Sequence, residues 1–358
     1  MAVFREGVVS KVRDERPGRV LVSVALDPGD EIDAVAYPDM IGRLETGDRV
    51  VVNVTALELD LGTGGAGFVL WNLDRDAEDR VAGHIMKMRY TPWQREVLAA
   101  EAPESPHHEV LAGATSIGGA PVVACGLHSQ VAAAVAGVKA VAPTARVGYL
   151  MTDAAALPLA LSDLVRSLRE AGLMDATCTT GHAFGGDLEA TNVFAGMVAL
   201  VRAAACDVIV AGMGPGVVGT GTRLGFTALE QGQLLDAATA LGGRSIAALR
   251  VSFDDERERH QGISHHTLTA LALAARDPAT IAVPKLTPDR SNAIARQLRD
   301  SGGCDRHATR IVDGRPALTV LESAGLDPTT MGRPMSESPD PFLAAGAAGV
   351  LAGEWSAG

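Results

Sequence analysis

From about residue 120 onward, short apolar runs alternate with longer helix-like runs, and polar clusters fall just after the apolar ones. Alternation of this kind forces parallel strands, because each intervening helix carries the chain back to the same end of a sheet. Strands are expected near 121–127, 146–153, 175–182, 207–212, 244–252 and 280–286. Helices are expected near 129–142, 159–172, 190–205, 222–241, 265–277 and 288–301. Six such units could also begin a closed parallel barrel, but the eight that such a barrel needs are not found. After residue 303 the rhythm weakens: ATRIVD and ALTVLES read as a hairpin, and an Ala-rich helix is expected over 341–354.

Residues 1–75 follow a different pattern. GVVSKVRD, RVLVSVAL, DAVAYP and RVVVNVTALELDL are Val-rich and separated by turn residues such as Asp27-Pro28-Gly29 and Thr46-Gly47-Asp48. Short strands at this spacing predict a small antiparallel barrel or sandwich. The run GTGGAG before FVLWNL reads as a turn or bulge. The expected fold is therefore α/β: a Rossmann-like doubly wound, mostly parallel sheet over 121–358, preceded by a small N-terminal β-barrel or sandwich over 1–75. Residues 76–120 read as a connector in which GHIMKMRYTPWQREVL gathers His84, Lys87, Arg89 and Tyr90.

Composition narrows the function classes. A formal charge of −12 argues against a general nucleic-acid binder, which needs a basic patch to neutralise phosphates, and against anionic membrane surfaces. The apolar run over 190–206 includes Asn192 and Arg202 and is too short to span a bilayer. The N-terminus shows no apolar signal segment, and four cysteines without CxxC spacing suit reduced thiols. A cytoplasmic protein is the expectation.

In an open α/β sheet, ligands bind outside the carboxyl ends of the strands, where these polar clusters fall. CGLHSQ offers His128 and Ser129 there, with Cys125 read as a buried strand end, and LMTD offers Asp153. GHAFGGDLEATN places His182 beyond a strand, with Asp187 and Glu189 expected at a helix start, where carboxylates suit the dipole. GMGPGVVGTGT supplies Gly212, Gly214, Gly216, Gly219, Thr220 and Thr222, a candidate anion loop at a helix N-terminus. Pro215 removes one amide from it, no GK[ST] follows, and Asp254 comes too late for a ribose-binding acid, so a dinucleotide fingerprint is disfavoured. RERHQGISHHT is the densest cluster, with His260, His265 and His266 beside Asp254 and Asp255. Ser264 is a natural N-cap there; adjacent helical residues diverge by about 100°, so one of His265 and His266 is expected to face the crevice.

The motifs GHIMKMRYTP, GHAFGGDLEATN, GMGPGVVGTGTRLGFTALEQG and RHQGISHHTLTAL are similar to those of a bacterial family known only as a domain of unknown function. The resemblance covers most of the chain and implies an identity without a mechanism, so the chemistry rests on the residues. They favour an enzyme acting on a small anionic or phosphorylated metabolite at the carboxyl edge of the sheet. His182, His265, His260, Asp153 and His128 are its candidate proton-moving groups. The loop from Gly212 to Thr222 would hold the anion, and Asp187, Asp254 and His266 are candidate ligands for a divalent metal. Each has a plainer explanation in capping, packing or tight turns. A homo-oligomer is a candidate assembly, and two alternatives stay open: a non-catalytic sensor of a nucleotide-like ligand or assembly module whose N-terminal barrel contacts a partner, and nucleic-acid binding through that barrel.

Overall fold

The computed structural model describes residues 2–61, 65–76 and 83–357, and they form two compact units divided between Val97 and Leu98. In the first unit, β1 (Phe4–Arg16), β2 (Arg19–Leu26), β3 (Glu31–Ala36), β4 (Arg49–Asn53) and β5 (Gly67–Asn72) close into a barrel. Its order is β1-β2-β3-β5-β4, with β1 pairing β4 to close the ring and β3 running parallel to β5. Barrel thus prevails over sandwich, and the physical gain is that no strand of the ring keeps an open edge. Alternate residues Val20, Val22 and Val24 of β2 point inward with Val9, Val50, Val52 and Val69, the period-two pattern of a strand with one buried face. One-turn helices α1 (Pro38–Ile41) and α2 (Thr55–Glu58) complete this unit with a short hairpin, β6 (Ile85–Lys87) and β7 (Arg95–Val97). Of the expected GTGGAG turn, Gly62, Thr63 and Gly64 lie outside the described residues, and Gly65 has a left-handed φ of 76°.

The stretch expected as a connector divides at this boundary. Its hairpin belongs to the barrel unit, whereas the segment from Leu98 onward, including α3 (His108–Leu111), belongs to the second. The second unit is built on eight parallel strands: β8 (Pro121–Ala124), β9 (Val147–Thr152), β10 (Ala176–Thr180), β11 (Leu188–Ala190), β12 (Val208–Met213), β13 (Arg244–Ala248), β16 (Thr280–Pro284) and β17 (Ala308–Val312). Two short strands, β14 (Val251–Ser252) and β15 (Gly262–Ile263), pair apart from the sheet. The order in the sheet is β11-β10-β9-β12-β8-β13-β16-β17.

Both faces are covered, as continuous apolar strands require. One face packs α6 (Val193–Arg202), α7 (Glu230–Ala240), α8 (His265–Thr269) and α9 (Pro288–Asp300) against Val122, Ala124, Ile209 and Ala211. The other packs α4 (Gln130–Val141), α5 (Asp163–Glu170), α10 (Arg315–Ser323) and α11 (Asp340–Ser356) against Val123, Cys125, Val208 and Val210. Helices α4 and α11 approach backbone to backbone. A Cβ on Gly137 would stand 2.5 Å from the Gly346 carbonyl, and one on Gly349 would overlap the Ala134 carbonyl.

Four expectations change here. The hairpin expected after residue 303 is instead the parallel edge strand β17 followed by α10. Pro316 suits a first helical turn, and Ala317 and Leu321, four residues apart, both face the core. The expected strand over 244–252 is two strands, and the helix expected over 222–241 begins only at Glu230, after one tight turn over Thr227–Leu229. The carboxylates of GHAFGGDLEATN do not start a helix: β11 intervenes, and Asn192 caps α6 by accepting the Ala195 amide at 3.0 Å. Among the described residues, no helix is long and apolar enough to cross a membrane.

Candidate functional site

The chain leaves β8 toward one face of the sheet and leaves the adjacent β12 toward the other, which opens a crevice at their carboxyl ends. Side chains of this protein fill it. Tyr149, from the middle of β9, donates its hydroxyl proton to the carbonyl oxygens of Gly212 and Met213, at 3.2 and 3.0 Å. His128 Nδ1 lies 3.2 Å from the Met213 carbonyl, and its Nε2 lies 2.6 Å from Ser162 Oγ. Ser162 also accepts the Val165 amide as the N-cap of α5. With the Tyr149 hydroxyl 3.1 Å from Nδ1 as well, an Nδ1–H shared between Met213 and Tyr149 and a Ser162 hydroxyl donating to Nε2 satisfy both nitrogens. Burial lowers the imidazole pKa to about 4, so the ring is neutral with both nitrogens engaged. Burial likewise pushes the Cys125 thiol up to about 12, far from a nucleophile.

Asp153 and His182 meet beyond β9 and β10. An Asp153 carboxylate oxygen accepts the His182 backbone amide at 3.0 Å, and it occupies the space a Cβ on Gly181 would need. Asp187 lies elsewhere. Cys178 pairs with Leu188, so residues 181–187 run back along β10 and deliver Asp187 to its amino end. There its carboxylate accepts the Thr177 amide and hydroxyl at 2.8 and 2.9 Å and pairs with Arg169. It fastens an edge strand and lies apart from the crevice.

An acid not singled out in the sequence stands at this edge. Glu230 begins α7, and its carboxylate accepts the Thr152 hydroxyl at 2.9 Å. Burial first, and then the charge of Asp153, raise its pKa to about 7. Nothing in TALEQG marks this residue, because an acid in a first helical turn is ordinarily a solvated dipole partner.

The glycine-rich loop departs from the expected anion cradle. Gly212 still belongs to β12, and at Gly214 a Cβ would stand 2.7 Å from the Ala155 carbonyl, a close approach that only glycine permits. Further on, Gly219 bridges Phe226, Thr220 donates its amide to Gly225 at 2.8 Å, and the Thr222 hydroxyl accepts the Gly225 amide at 3.0 Å. The Thr220 and Thr222 hydroxyls are 3.0 Å apart. These hydroxyls close the loop upon itself, and the helix start lies several residues beyond the glycines.

What the loop does reach is the histidine cluster. Strands β14 and β15 pair through Val251–Ile263 and Ser252–Gly262, which cinches the segment carrying Asp254 to His260 at its base. Gln297 of α9 holds that base, accepting the Ile263 amide and donating to the Gln261 carbonyl, each at 2.8 Å. Ser264 then caps α8, whose first two residues are His265 and His266. The next turn widens into a π segment over Ala270–Ala274. Carbonyls of this segment and of Ala275, which follows it, are taken by Arg306, at 3.0 Å from Ala272 and 2.8 Å from Ala275, and by His307, at 3.0 Å from Leu271.

Both adjacent histidines turn toward His260, contrary to the expectation that one would face away. Ring centroids are 4.2 Å apart for His265–His266, 5.1 Å for His260–His265 and 5.2 Å for His260–His266. The 100° divergence holds at the helix axis, but at a helix start there is no preceding turn, and long rings can fold over the open end. Phe226 stacks on His266 at 4.0 Å with a 12° interplanar angle. One ring nitrogen from each histidine lies within 4.8 Å of the other two.

The surroundings are cationic. Burial and the charges of Arg250 and Arg257 lower His260 to about 4, burial and neighbouring rings lower His266 to about 3, and burial and Arg259 lower His265. Asp255 pairs with Arg257 at 2.9 Å and Arg250 at 3.6 Å, and the hydrogen bonds from Arg257 keep its carboxyl well below the usual range. Asp254 is exposed; its carbonyl accepts Arg333 at 2.7 Å and its carboxylate lies 3.5 Å from Ser338 Oγ. The candidate residues thus separate: His260, His265 and His266 converge, with Gly219 against the last. His128, Asp153 with His182, Asp187 and Asp254 have other places and partners.

The family model described as "Protein of unknown function (DUF3866)" matches residues 33–349, and the chain belongs to that family. No curated protein and no solved structure matches it.

Proposed function

With membership of a family whose description gives no activity, the chemistry has to be read from this chain's own residues, and we propose that residues 98–358 form an enzyme acting on a small anionic metabolite. One observation carries this reading: three uncharged imidazoles converge with ring centroids 4.2–5.2 Å apart, and the positive charges of Arg250, Arg257 and Arg259 act on them, two of these being shared with Asp255. Guanidinium groups favour an anion, and neutral imidazoles are the proton acceptors that general-base chemistry uses. The cluster follows β13 at the carboxyl side of the sheet, where the strands of this fold class present their ligands. Phe226 belongs to the same apolar contact as Met213 and Ala154, so the cluster is packed onto the ends of β12 and β9.

In this reading the guanidinium groups hold the anionic group and one imidazole takes a proton from the substrate or from water. Glu230, half protonated near neutrality, is a second proton carrier at the edge. Inorganic phosphate is a suitable first probe. At constant ionic strength it should raise the thermal midpoint of the wild-type protein by a few degrees, and much less in Arg259→Gln or His265→Gln. Equal midpoints with phosphate and chloride would remove the anion site. Incubation with a pool of phosphorylated and carboxylated metabolites, followed by mass spectrometry, separates the rival. Stabilisation without consumption would favour a ligand sensor over an enzyme.

A further inference from the structure

Three imidazoles packed together with no carboxylate among them is a costly arrangement unless something is held between them. Buried polar nitrogens nearly always have partners, yet His265 Nε2 and His266 Nδ1 are buried without one. The third ring is oriented as a ligand would be. His260 Nδ1 lies 2.7 Å from Ser264 Oγ, so a proton on Nδ1 is directed to that oxygen and the Nε2 lone pair is left outward. The His266 ring is held by its stack on Phe226, and Ser264 is fully buried.

We propose that His260, His265 and His266 bind a divalent transition-metal ion of the zinc class, leaving one coordination position open. The proposal rests on the reading of this cluster as the working site and names the cofactor of that site. Imidazole nitrogens suit zinc, cobalt, nickel or copper, whereas magnesium and calcium require oxygen ligands that this cluster lacks. Three protein ligands with a fourth position open is the arrangement of catalytic zinc, and a fully closed set is that of structural zinc. Metal–nitrogen bonds of about 2.1 Å at tetrahedral angles set the nitrogens about 3.4 Å apart. The present separations, within 4.8 Å, exceed that spacing by at most about 1.4 Å. No ligand carries negative charge and arginines lie nearby, so the open position favours an anion: hydroxide or an anionic oxygen of the substrate. Asp187 and Asp254, expected as ligands from the sequence, are replaced in this role by His260 and His265.

The test uses the full chain, treated with chelator and then titrated with Zn²⁺ by calorimetry and with Co²⁺ by visible absorption. One equivalent per chain is expected, with the intense Co²⁺ bands of a four- or five-coordinate nitrogen site. His265→Ala and His266→Ala should each weaken binding by a hundredfold or more, and Ser264→Ala, which removes the orienting oxygen and with it the N-cap of α8, by about tenfold. His265→Gln keeps the side-chain volume and, checked for fold by circular dichroism, should show the same loss. Absence of stoichiometric uptake by the folded protein would overturn the proposal, as would uptake that is unchanged in the His265 and His266 variants. If metal-free protein still responds to phosphate while zinc uptake fails, only the metal is lost. If zinc binds but no metabolite is consumed, the enzyme reading is lost and the metal site stands.

Discussion

A histidine with both ring nitrogens bonded to protein has neither a lone pair nor a proton to offer a ligand. His128 is in that state, and its neutrality couples to pH. Its folded pKa lies below the ordinary 6.5, at about 4, so the unfolded chain takes up the proton first. Stability is therefore complete above 6.5 and declines as pH falls toward 4. Urea titrations across this range should show the decline, and a shallower one in His128→Asn; an identical slope would mean that His128 titrates normally. Loss of its bonds in His128→Ala should cost about 2–4 kcal/mol at pH 7.5 by the same measurement. All four cysteines are buried, and Ellman's reagent is expected to react with none in the native state and all four in urea. At this scale the sequence was legible to the level of the polar run. RERHQGISHHT stood out by density, but convergence of its histidines depends on the β14–β15 ladder and the free helix start, which no spacing rule conveys. Glu230 was hidden because its character comes from burial against Thr152, a contact made across 78 positions of chain.

The central strands β8, β9, β10, β12 and β16 lie close to where hydrophobic periodicity placed them, since each is a largely buried run. Two of the errors share a cause: β11, β14 and β15 are two or three residues long, too short to show a period. The region after 303 misled because β17 is exposed along most of its length and lacks the apolar run of a central strand. The pairing of α4 with α11 was also invisible, because Gly and Ala give a weak periodic signal while permitting the closest helix contact. Ordinarily Gly→Ala within a helix stabilises by about 1 kcal/mol. Here Gly349→Ala should do the reverse and cost about 3 kcal/mol, read as a lower urea midpoint, because the methyl group overlaps the Ala134 carbonyl. Stabilisation by that substitution would show that the helices have room to part.

On the scale of the whole molecule, the barrel and the α/β unit each enclose a hydrophobic core of their own residues. Fragments 1–97 and 98–358 are therefore each expected to unfold cooperatively in isolation, and the second to keep the phosphate response. Broad, non-cooperative melting of either would show that it borrows stability from the other. Composition separates the two regions and leaves residues 76–120 between them as a connector, because the β6–β7 hairpin carries the charges of a solvated segment; the two units divide within that stretch, between Val97 and Leu98. The strand order has a consequence in time. The first strand of the sheet, β8, has as neighbours β12 and β13, both of which come much later in the chain than β9 and β10. Until they arrive, β8 has no hydrogen-bonding partner in the sheet, and β12 must enter between strands already formed. Such long-range closure makes refolding slow and leaves apolar strand edges open meanwhile, so recovery from denaturant should depend steeply on protein concentration.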